Sequence, residues 1–249
     1  MKLAVISDIH SNVYALEAVL NDIAKRGADR IVNLGDTLYG PIAPKATYNL
    51  ITSSDVTSIC GNQDRMLHEV THKEFAANPT LQFVLGDLGN APIDWLKTLP
   101  FDCQVNRQIY ACHGSPTNDL TYLMEDVSSG EARVRSDSEI LQLVDGQNSS
   151  VILCGHTHIP RVVELSTGQL IVNAGSVGLP AFTDDQPTVH SMETYSSHAS
   201  YTMLETNSDG WNIQQMKIPY PVQDAVNAAA KQGRSDWAHY LATGRINEL

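Results

Sequence analysis

Residues 3–10 read Leu-Ala-Val-Ile-Ser-Asp-Ile-His. The run 3–7 is short and apolar, which suits a strand buried on both faces of a parallel sheet, and it stops at two side chains that carry chemistry, Asp8 and His10. From Asn12 the pattern changes: Val13, Leu16, Val19, Leu20 and Ile23 recur at helical spacing, and Gly27 supplies a stop. A second apolar run, 30–34, ends in Gly35-Asp36. After a loop through Tyr39-Gly40-Pro41 and a helix near 45–52, a third run, 56–60, ends in Gly61-Asn62. Three successive β-units therefore each place a polar residue just past the strand's carboxyl end, where open α/β sheets hold their ligands.

The pattern continues outward from there. Residues 63–99 read as a mainly helical covering region with a break at Asn78-Pro79. Two β-like pieces, 101–105 and 108–112, follow, and the second ends at His113-Gly114-Ser115-Pro116. A helical stretch is expected over roughly 117–145. The strand 151–154 then runs into Gly155-His156-Thr157-His158. Residues 161–165 and 169–173 form a hairpin around Ser166-Thr167-Gly168, leading to Asn173-Ala174-Gly175-Ser176. Further antiparallel strands are expected near 188–194, 200–205 and 211–218, and a helical tail over about 221–249. No repeat, low-complexity tract or linker interrupts the chain, so residues 1–249 are expected to form one domain.

Composition narrows the function classes. The chain has 249 residues, 42% of them hydrophobic, enough for a sizeable core, and a net charge of −12. No block of Lys or Arg stands out, which disfavours binding to nucleic-acid polymers or anionic membranes. No apolar stretch of about 18 residues and no signal-peptide pattern is present, so a soluble, cytoplasmic protein is expected. Cys60, Cys103, Cys112 and Cys154 lie in or beside apolar runs without zinc-knuckle spacing and read as reduced core residues.

Asp-x-His after one strand, Gly-Asp after the next, Gly-Asn after a third, then His-Gly and Gly-His-x-His turns make an ordered set of N and O ligands: Asp8, His10, Asp36, Asn62, His113, His156 and His158. Imidazole favours transition ions and carboxylate also accepts manganese, so the mixture points to a hydrolytic pair of divalent ions (Mn, Fe, Ni or Zn) rather than calcium or a thiolate site. Each fragment alone is weak. Their order at successive strand ends is hard to obtain by chance.

These fragments, with Asn62-Gln63-Asp64 in the third, resemble those of the calcineurin-like metallophosphoesterases over residues 1 to about 180. The start Asp8-Ile9-His10-Ser11-Asn12, the middle His113-Gly114-Ser115-Pro116 and the later Gly175-Ser176-Val177-Gly178 are most similar to a bacterial branch that includes phosphodiesterases and diadenosine tetraphosphate hydrolases. The resemblance implies an α/β fold, a four-layer αββα sandwich of two mixed sheets. It implies a first ion on Asp8, His10, Asp36 and His158, and a second on Asp36, Asn62, His113 and His156, with Asp36 as bridge. A water-derived hydroxide between two such ions would cleave a small phosphoester or phosphoanhydride, with a phosphodiester or dinucleoside polyphosphate favoured. Ser7, Ser11 and Ser115 then read as turn residues rather than nucleophiles.

Asp36, Asn62, Gln63 and Asp64 are the candidate catalytic residues, and Asn62, Arg65 and Tyr39 the candidate substrate contacts. Gln63 departs from the family, many of whose members carry a histidine there. Glutamine donates a hydrogen bond but does not titrate near neutral pH, which implies a good leaving group. His68 and His72, one and two turns further on, read as solvent-facing. Two other readings stay open: a protein serine/threonine phosphatase, and a metal-binding interaction module with little catalysis, as in a retromer subunit that resembles the family. The expected partner is a small phosphorylated substrate, a nucleotide among the candidates; the oligomeric state is not legible.

Overall fold

The computed structural model describes residues 1–208 and 210–246. Strands and helices first alternate: β1 (Lys2–Ile6), α1 (Val13–Arg26), β2 (Arg30–Asn33), α2 (Pro44–Thr52) and β3 (Val56–Ser58). Four short helices follow, α3 (Asn62–Glu69), α4 (His72–Ala77), α5 (Pro79–Leu88) and α6 (Asn90–Leu96). Then come β4 (Asp102–Asn106), β5 (Ile109–Cys112), β6 (Glu125–Asp126), β7 (Arg133–Val134), α7 (Asp137–Leu143) and β8 (Val151–Cys154). The described chain closes with β9 (Arg161–Glu164), β10 (Leu170–Asn173), β11 (Ala181–Asp184), β12 (His190–Glu193), β13 (Ala199–Asn207), β14 (Gly210–Ile218), α8 (Val222–Lys231) and α9 (Ser235–Thr243).

Two five-stranded mixed sheets result, ordered β14-β13-β1-β2-β3 and β4-β5-β8-β10-β9. In the first, β1, β2 and β3 run parallel; in the second, β5, β8 and β10 do. Alternation along β1 explains the stacking. Leu3 and Val5 face Ile109, Ala111, Val151 and Leu153 of the second sheet, while Ala4 and Ile6 face Leu16, Val19 and Ile23 of α1. On the far side, Tyr110, Cys112, Ile152 and Ile171 are covered by Leu123, Met124 and Ile140. The order is helix, sheet, sheet, helix, as the family resemblance implies.

Local signals set the boundaries. Asn12 caps α1, its Oδ1 accepting from Ala15 N at 3.1 Å, and Gly27 ends it in a left-handed conformation. Asn78 caps α5 and Pro79 starts it, which accounts for the break inside the covering region. Leu81, Val84 and Leu88 of α5 and Leu96 of α6 share one apolar cluster with Ala225 and Ala229 of α8, Trp237 and Leu241 of α9, and Leu38 and Tyr39 of the loop after β2. The covering helices and the tail thus pack together at the ligand-bearing edge. Residues 247–249 of the expected tail lie outside the described residues.

One expectation is corrected. Of the helix expected over 117–145, only α7 forms; residues before it make turns and the small β6–β7 pair. Tyr122, Leu123, Met124 and Glu125 are buried consecutively rather than at helical intervals, so the backbone lies flat on the sheet and cannot coil. β11 is a further strand that the sequence pattern does not announce. All four cysteines are unpaired, and Cys60, Cys112 and Cys154 are buried, as expected.

The turn after β10 is keyed to the end of β1. Val177 N donates to Ser7 O at 2.9 Å and Gly178 N to Asp8 O at 3.0 Å. A Cβ on Gly178 would overlap the carbonyl oxygen of Ile9, a backbone atom with no freedom to move aside. Gly178→Ala is therefore expected to lower stability by about 2–3 kcal/mol in denaturant unfolding. An unchanged midpoint would show that this turn is not held as described.

Candidate metal centre

The carboxyl ends of all six parallel strands converge. β1 delivers Asp8 and His10, β2 Asp36, β3 Asn62, β5 His113, and β8 His156 and His158. Asp8, His10, Asp36, His156 and His158 all have positive φ, between 48° and 67°. This is a conformation that Asp and His tolerate better than most residues. It lets the strand-end turns fold back on one another: Asp8 N donates to Gly35 O and His10 N to Asp36 O, both at 2.9 Å. Gly61 is required beside them, since a Cβ there would overlap Asp36 Oδ1.

Two buried groups form: Asp8, His10 and His158 in one, Asp36, His113 and His156 in the other. Asn62 joins the second, its Oδ1 lying 2.9 Å from His113 Nε2. Within each group one carboxylate oxygen is bound by backbone and the other faces imidazole. Asp8 Oδ2 accepts from His156 N at 3.1 Å, while Oδ1 stands 3.3 Å from His158 Nε2 and 3.9 Å from His10 Nε2. Asp36 Oδ1 accepts from Gln63 N at 2.8 Å, and Oδ2 stands 3.5 Å from His113 Nε2.

The tautomers show what these groups await. Nδ1 of His10, His113 and His158 each meets a backbone carbonyl, of Tyr39 (3.2 Å), Leu34 (2.8 Å) and Leu179 (2.7 Å). A carbonyl only accepts, so each Nδ1 carries a proton, and each ring, when neutral, presents its lone pair at Nε2. The Nε2 atoms of His10 and His158 then face each other at 3.0 Å, beside Asp8 Oδ1, which is buried and has no hydrogen-bond donor. Acceptors aimed at acceptors in a buried site fit a cation.

His156 is oriented differently. Its ring packs against His113 (centroids 5.1 Å) and against Tyr122 (4.7 Å). The Tyr122 hydroxyl donates to His190 Nε2 at 3.0 Å, and His190 Nδ1 donates to Thr188 O. Tyr122 and His190 are buried supports with no signal in the local sequence. Asn173, after the sixth parallel strand, donates to Gly155 O and Thr157 Oγ1 and so braces the Gly-His-x-His turn.

Charge is arranged to match. Burial alone would raise the carboxyls of Asp8 and Asp36, but the surrounding histidines, His158 foremost for Asp8 and His113 for Asp36, hold both below the usual range. Burial pushes His10 and His156 down to about 4, assisted by neighbouring His158 and His113 respectively. His113 goes the other way: burial would lower it, yet Asp36, with Asp8 and the Leu34 carbonyl, raises it to about 10.

The remaining candidates fall in different places. Tyr39, Asn62 and Gln63 line a cavity of about 200 Å³ together with His10, Asp36, His156 and His158. Asp64 does not reach it. Its carboxylate accepts from Thr37, Leu38 and Gly61 N–H groups, and burial, with Asp36 nearby, raises it to about 7. It is a positioning residue for the Asp36 turn. Arg65 is bound bidentate to Asp119, at 2.8 and 3.0 Å, and to Glu69 at 3.0 Å, so its guanidinium is engaged outside the cavity. His68 and His72 also lie off the cavity, and Ser7, Ser11 and Ser115 line no part of it.

Residues 1–197 match the calcineurin-like phosphoesterase superfamily domain. The chain belongs to that superfamily. It is 26% identical over 250 residues to an uncharacterised protein of Methanocaldococcus jannaschii, covering 94% of each chain. Its fold is that of a metallophosphoesterase from Sphaerobacter thermophilus (TM-score 0.74, 22% identity, 98% and 99% of the two chains covered). It is also similar in fold to a protein proposed to be a diadenosine tetraphosphatase (TM-score 0.52, 18% identity, 87% and 93% covered). As a metallophosphoesterase, the chain carries two candidate groups for divalent ions.

The superfamily domain stops before α8 and α9, yet α9 and the residue before it complete the cavity. Arg234, Asp236, Trp237 and Tyr240 line it, Trp237 standing edge-on to His10 at 5.8 Å, and Phe182 packs on His158 at 4.5 Å. In the sequence Trp237 and Tyr240 look like core positions of an amphipathic tail. Only the fold shows that the same face reaches the site.

The titration of His113 gives a test. Below pH 10 the metal-free chain holds a proton on this ring, whereas a ligand imidazole whose Nδ1–H is bound to a carbonyl has none at Nε2. Mn2+ or Zn2+ affinity is therefore expected to rise about tenfold per pH unit between pH 6 and 8. Calorimetry in buffers of different ionisation enthalpy should show about one proton released. His10 and His156, already neutral there, add none. A pH-independent affinity without proton release would contradict the assignment.

Proposed function

We propose that the chain is a metal-dependent phosphohydrolase acting on a small phosphoester, phosphodiesters foremost, with divalent transition ions such as manganese held by Asp8, His10, Asp36, Asn62, His113, His156 and His158. The observation that carries this reading is the pair of buried ligand groups opening on one small cavity. We assign Asp36, a member of the second group, as the ligand the two groups would share, a reading supported by its influence on His10 of the first. Bound divalent ions would activate water and neutralise phosphate charge. In hydrolysis, the water oxygen bonds to phosphorus, the ester P–O bond breaks, and a proton from water ends on the departing alcohol or in solvent.

The chain's own residues set the rest. Gln63 lines the cavity, its backbone N–H fixes Asp36, and its side-chain Oε1 is buried without a partner. Its amide orients a phosphate or leaving oxygen but supplies no titratable proton. No helix among the described residues is long and apolar enough to cross a membrane.

Bis(p-nitrophenyl) phosphate hydrolysis, screened with Mn, Ni, Fe and Zn, tests the reading. Turnover is expected with at least one metal, and Asp36→Asn should lower it by more than about a hundredfold. An Asp36→Asn chain with full activity and normal metal content would remove Asp36 from the shared position. The absence of turnover with every metal would support an interaction module instead. Without a general acid, rates across a series of aryl esters should fall by about tenfold per unit of leaving-group pKa. Gln63→His should flatten that slope; an already shallow slope in the unaltered chain would mean that another group protonates the leaving oxygen.

A further inference from the structure

The inner cavity opens into a second one of about 590 Å³, and Thr183, Asp184, Asp236 and Tyr240 border both. A phosphate held beside Asp36, His156 and His158 occupies the inner end of the first cavity, and Thr183, Asp184, Asp236 and Tyr240 border the side that faces the outer chamber. Whatever alcohol the phosphate is esterified to must extend into the outer chamber. That chamber lies between β11 with the turn after it on one side and α9 on the other, so its walls decide which leaving groups are accepted.

The walls carry charge of one sign. Asp184 and Asp185 come from the β11 side and Asp236 from α9, while Tyr240, Val189 and Ile246 supply apolar surface; no Lys, Arg or His lines the chamber among the described residues. Asp236 is compensated. Arg234 grips it through Nη2 at 2.6 Å and Nε at 2.9 Å, and its Nη1 donates to Thr80 Oγ1. Three of its five N–H groups are thereby engaged, and its charge is offset by Asp236. Asp184 accepts from Gln186 N and Asp185 from the Gln186 side chain, and among the described residues neither meets a cation. Two uncompensated carboxylates at the mouth of the chamber repel an anion and attract a cation, most strongly at low salt.

Resting on the phosphohydrolase reading above, we infer that this outer chamber selects phosphoesters whose leaving group bears no negative charge and prefers a cationic one, such as the ester of an amino alcohol, over nucleoside polyphosphates. Apolar contacts from Tyr240, Val189 and Ile246 suit the carbon skeleton of such a group, and the carboxylates suit its ammonium.

The test uses the manganese-loaded chain and three aryl methyl phosphodiesters with phenols of matched pKa. One carries a trimethylammonium group, one a sulfonate and one no charge. The cationic ester should exceed the anionic one in kcat/KM by at least about tenfold at low salt, and the ratio should shrink as salt rises. In the Asp184→Asn, Asp185→Asn double variant the ratio should fall towards one. Being a ratio within one protein, it does not depend on how much of the variant is folded. Turnover of the uncharged ester without any charge preference, or a preference unchanged in the double variant, overturns the inference alone, as does hydrolysis of a dinucleoside tetraphosphate as efficient as that of the cationic ester. Failure to hydrolyse even the uncharged ester with any metal overturns the phosphohydrolase reading and this inference with it.

Discussion

Three imidazoles are pinned through Nδ1–H to the carbonyls of Leu34, Tyr39 and Leu179, and this constraint governs the site. It fixes the tautomer before any ion arrives, aiming lone pairs at carboxylate oxygens and at one another. Such an arrangement is costly in a buried place unless a proton or a metal occupies it. His113 takes the proton route in the metal-free chain, which is why its pKa moves opposite to those of His10 and His156. The carbonyls that do the pinning belong to the segments after β2 (Leu34, Tyr39) and after β10 (Leu179). Ligand geometry is thus inherited from the sheets.

The sheets explain how distant residues meet. Each contains three parallel strands, and the two triplets end at the same edge. Hydrogen bonds then join one sheet's turns to the other's: His156 N to Asp8 Oδ2, Gly178 N to Asp8 O, and the Ser176 hydroxyl to that same carbonyl at 2.7 Å. Asp8 is therefore both a candidate ligand and the knot between sheets. Left-handed backbone at five candidate ligands is the strain this crossing requires, and it is held by packing on both sides. A rigid frame of this kind suits a site whose ligands must not rearrange between loading and turnover.

Much of this was legible in the sequence because the signals are local. An apolar run followed by a polar turn residue marks both strand and ligand, so β1, β2, β3, β5 and β8 and the set from Asp8 to His158 could be read without coordinates. The hairpin β9–β10 and the break at Asn78-Pro79 were equally legible from turn chemistry. What escaped was non-local. The run Tyr122–Glu125 resembles any apolar segment until it is seen lying on the second sheet, and Tyr122 gains its role only by stacking on His156, 34 positions away in the chain. Arg65 had the right chemistry for phosphate but meets Asp119 instead, a partner that spacing could not reveal.

The same contrast separates what the superfamily supplies from what this chain adds. The candidate metal ligands come from within residues 1–197, where strand ends place them. The cavity's outer wall comes from Arg234, Asp236, Trp237 and Tyr240, beyond that domain, and from the β11 turn. The proposed catalytic and selective functions thus sit on different parts of the structure. The first is tied to sheet geometry that tolerates little change, since a Cβ at Gly61 or Gly178 already collides with the turns. The second rests on a helix packed through an apolar cluster against α5 and α8, and of its cavity-lining residues Trp237 meets the candidate ligand His10. Gln63 lies where these parts meet: its backbone N–H donates to Asp36, while its side chain lines the cavity, where the proposed reaction would have an amide rather than an imidazole at the leaving group. A site that offers an amide instead of an imidazole there, and carboxylates beyond, is shaped by the leaving group at least as much as by the phosphate.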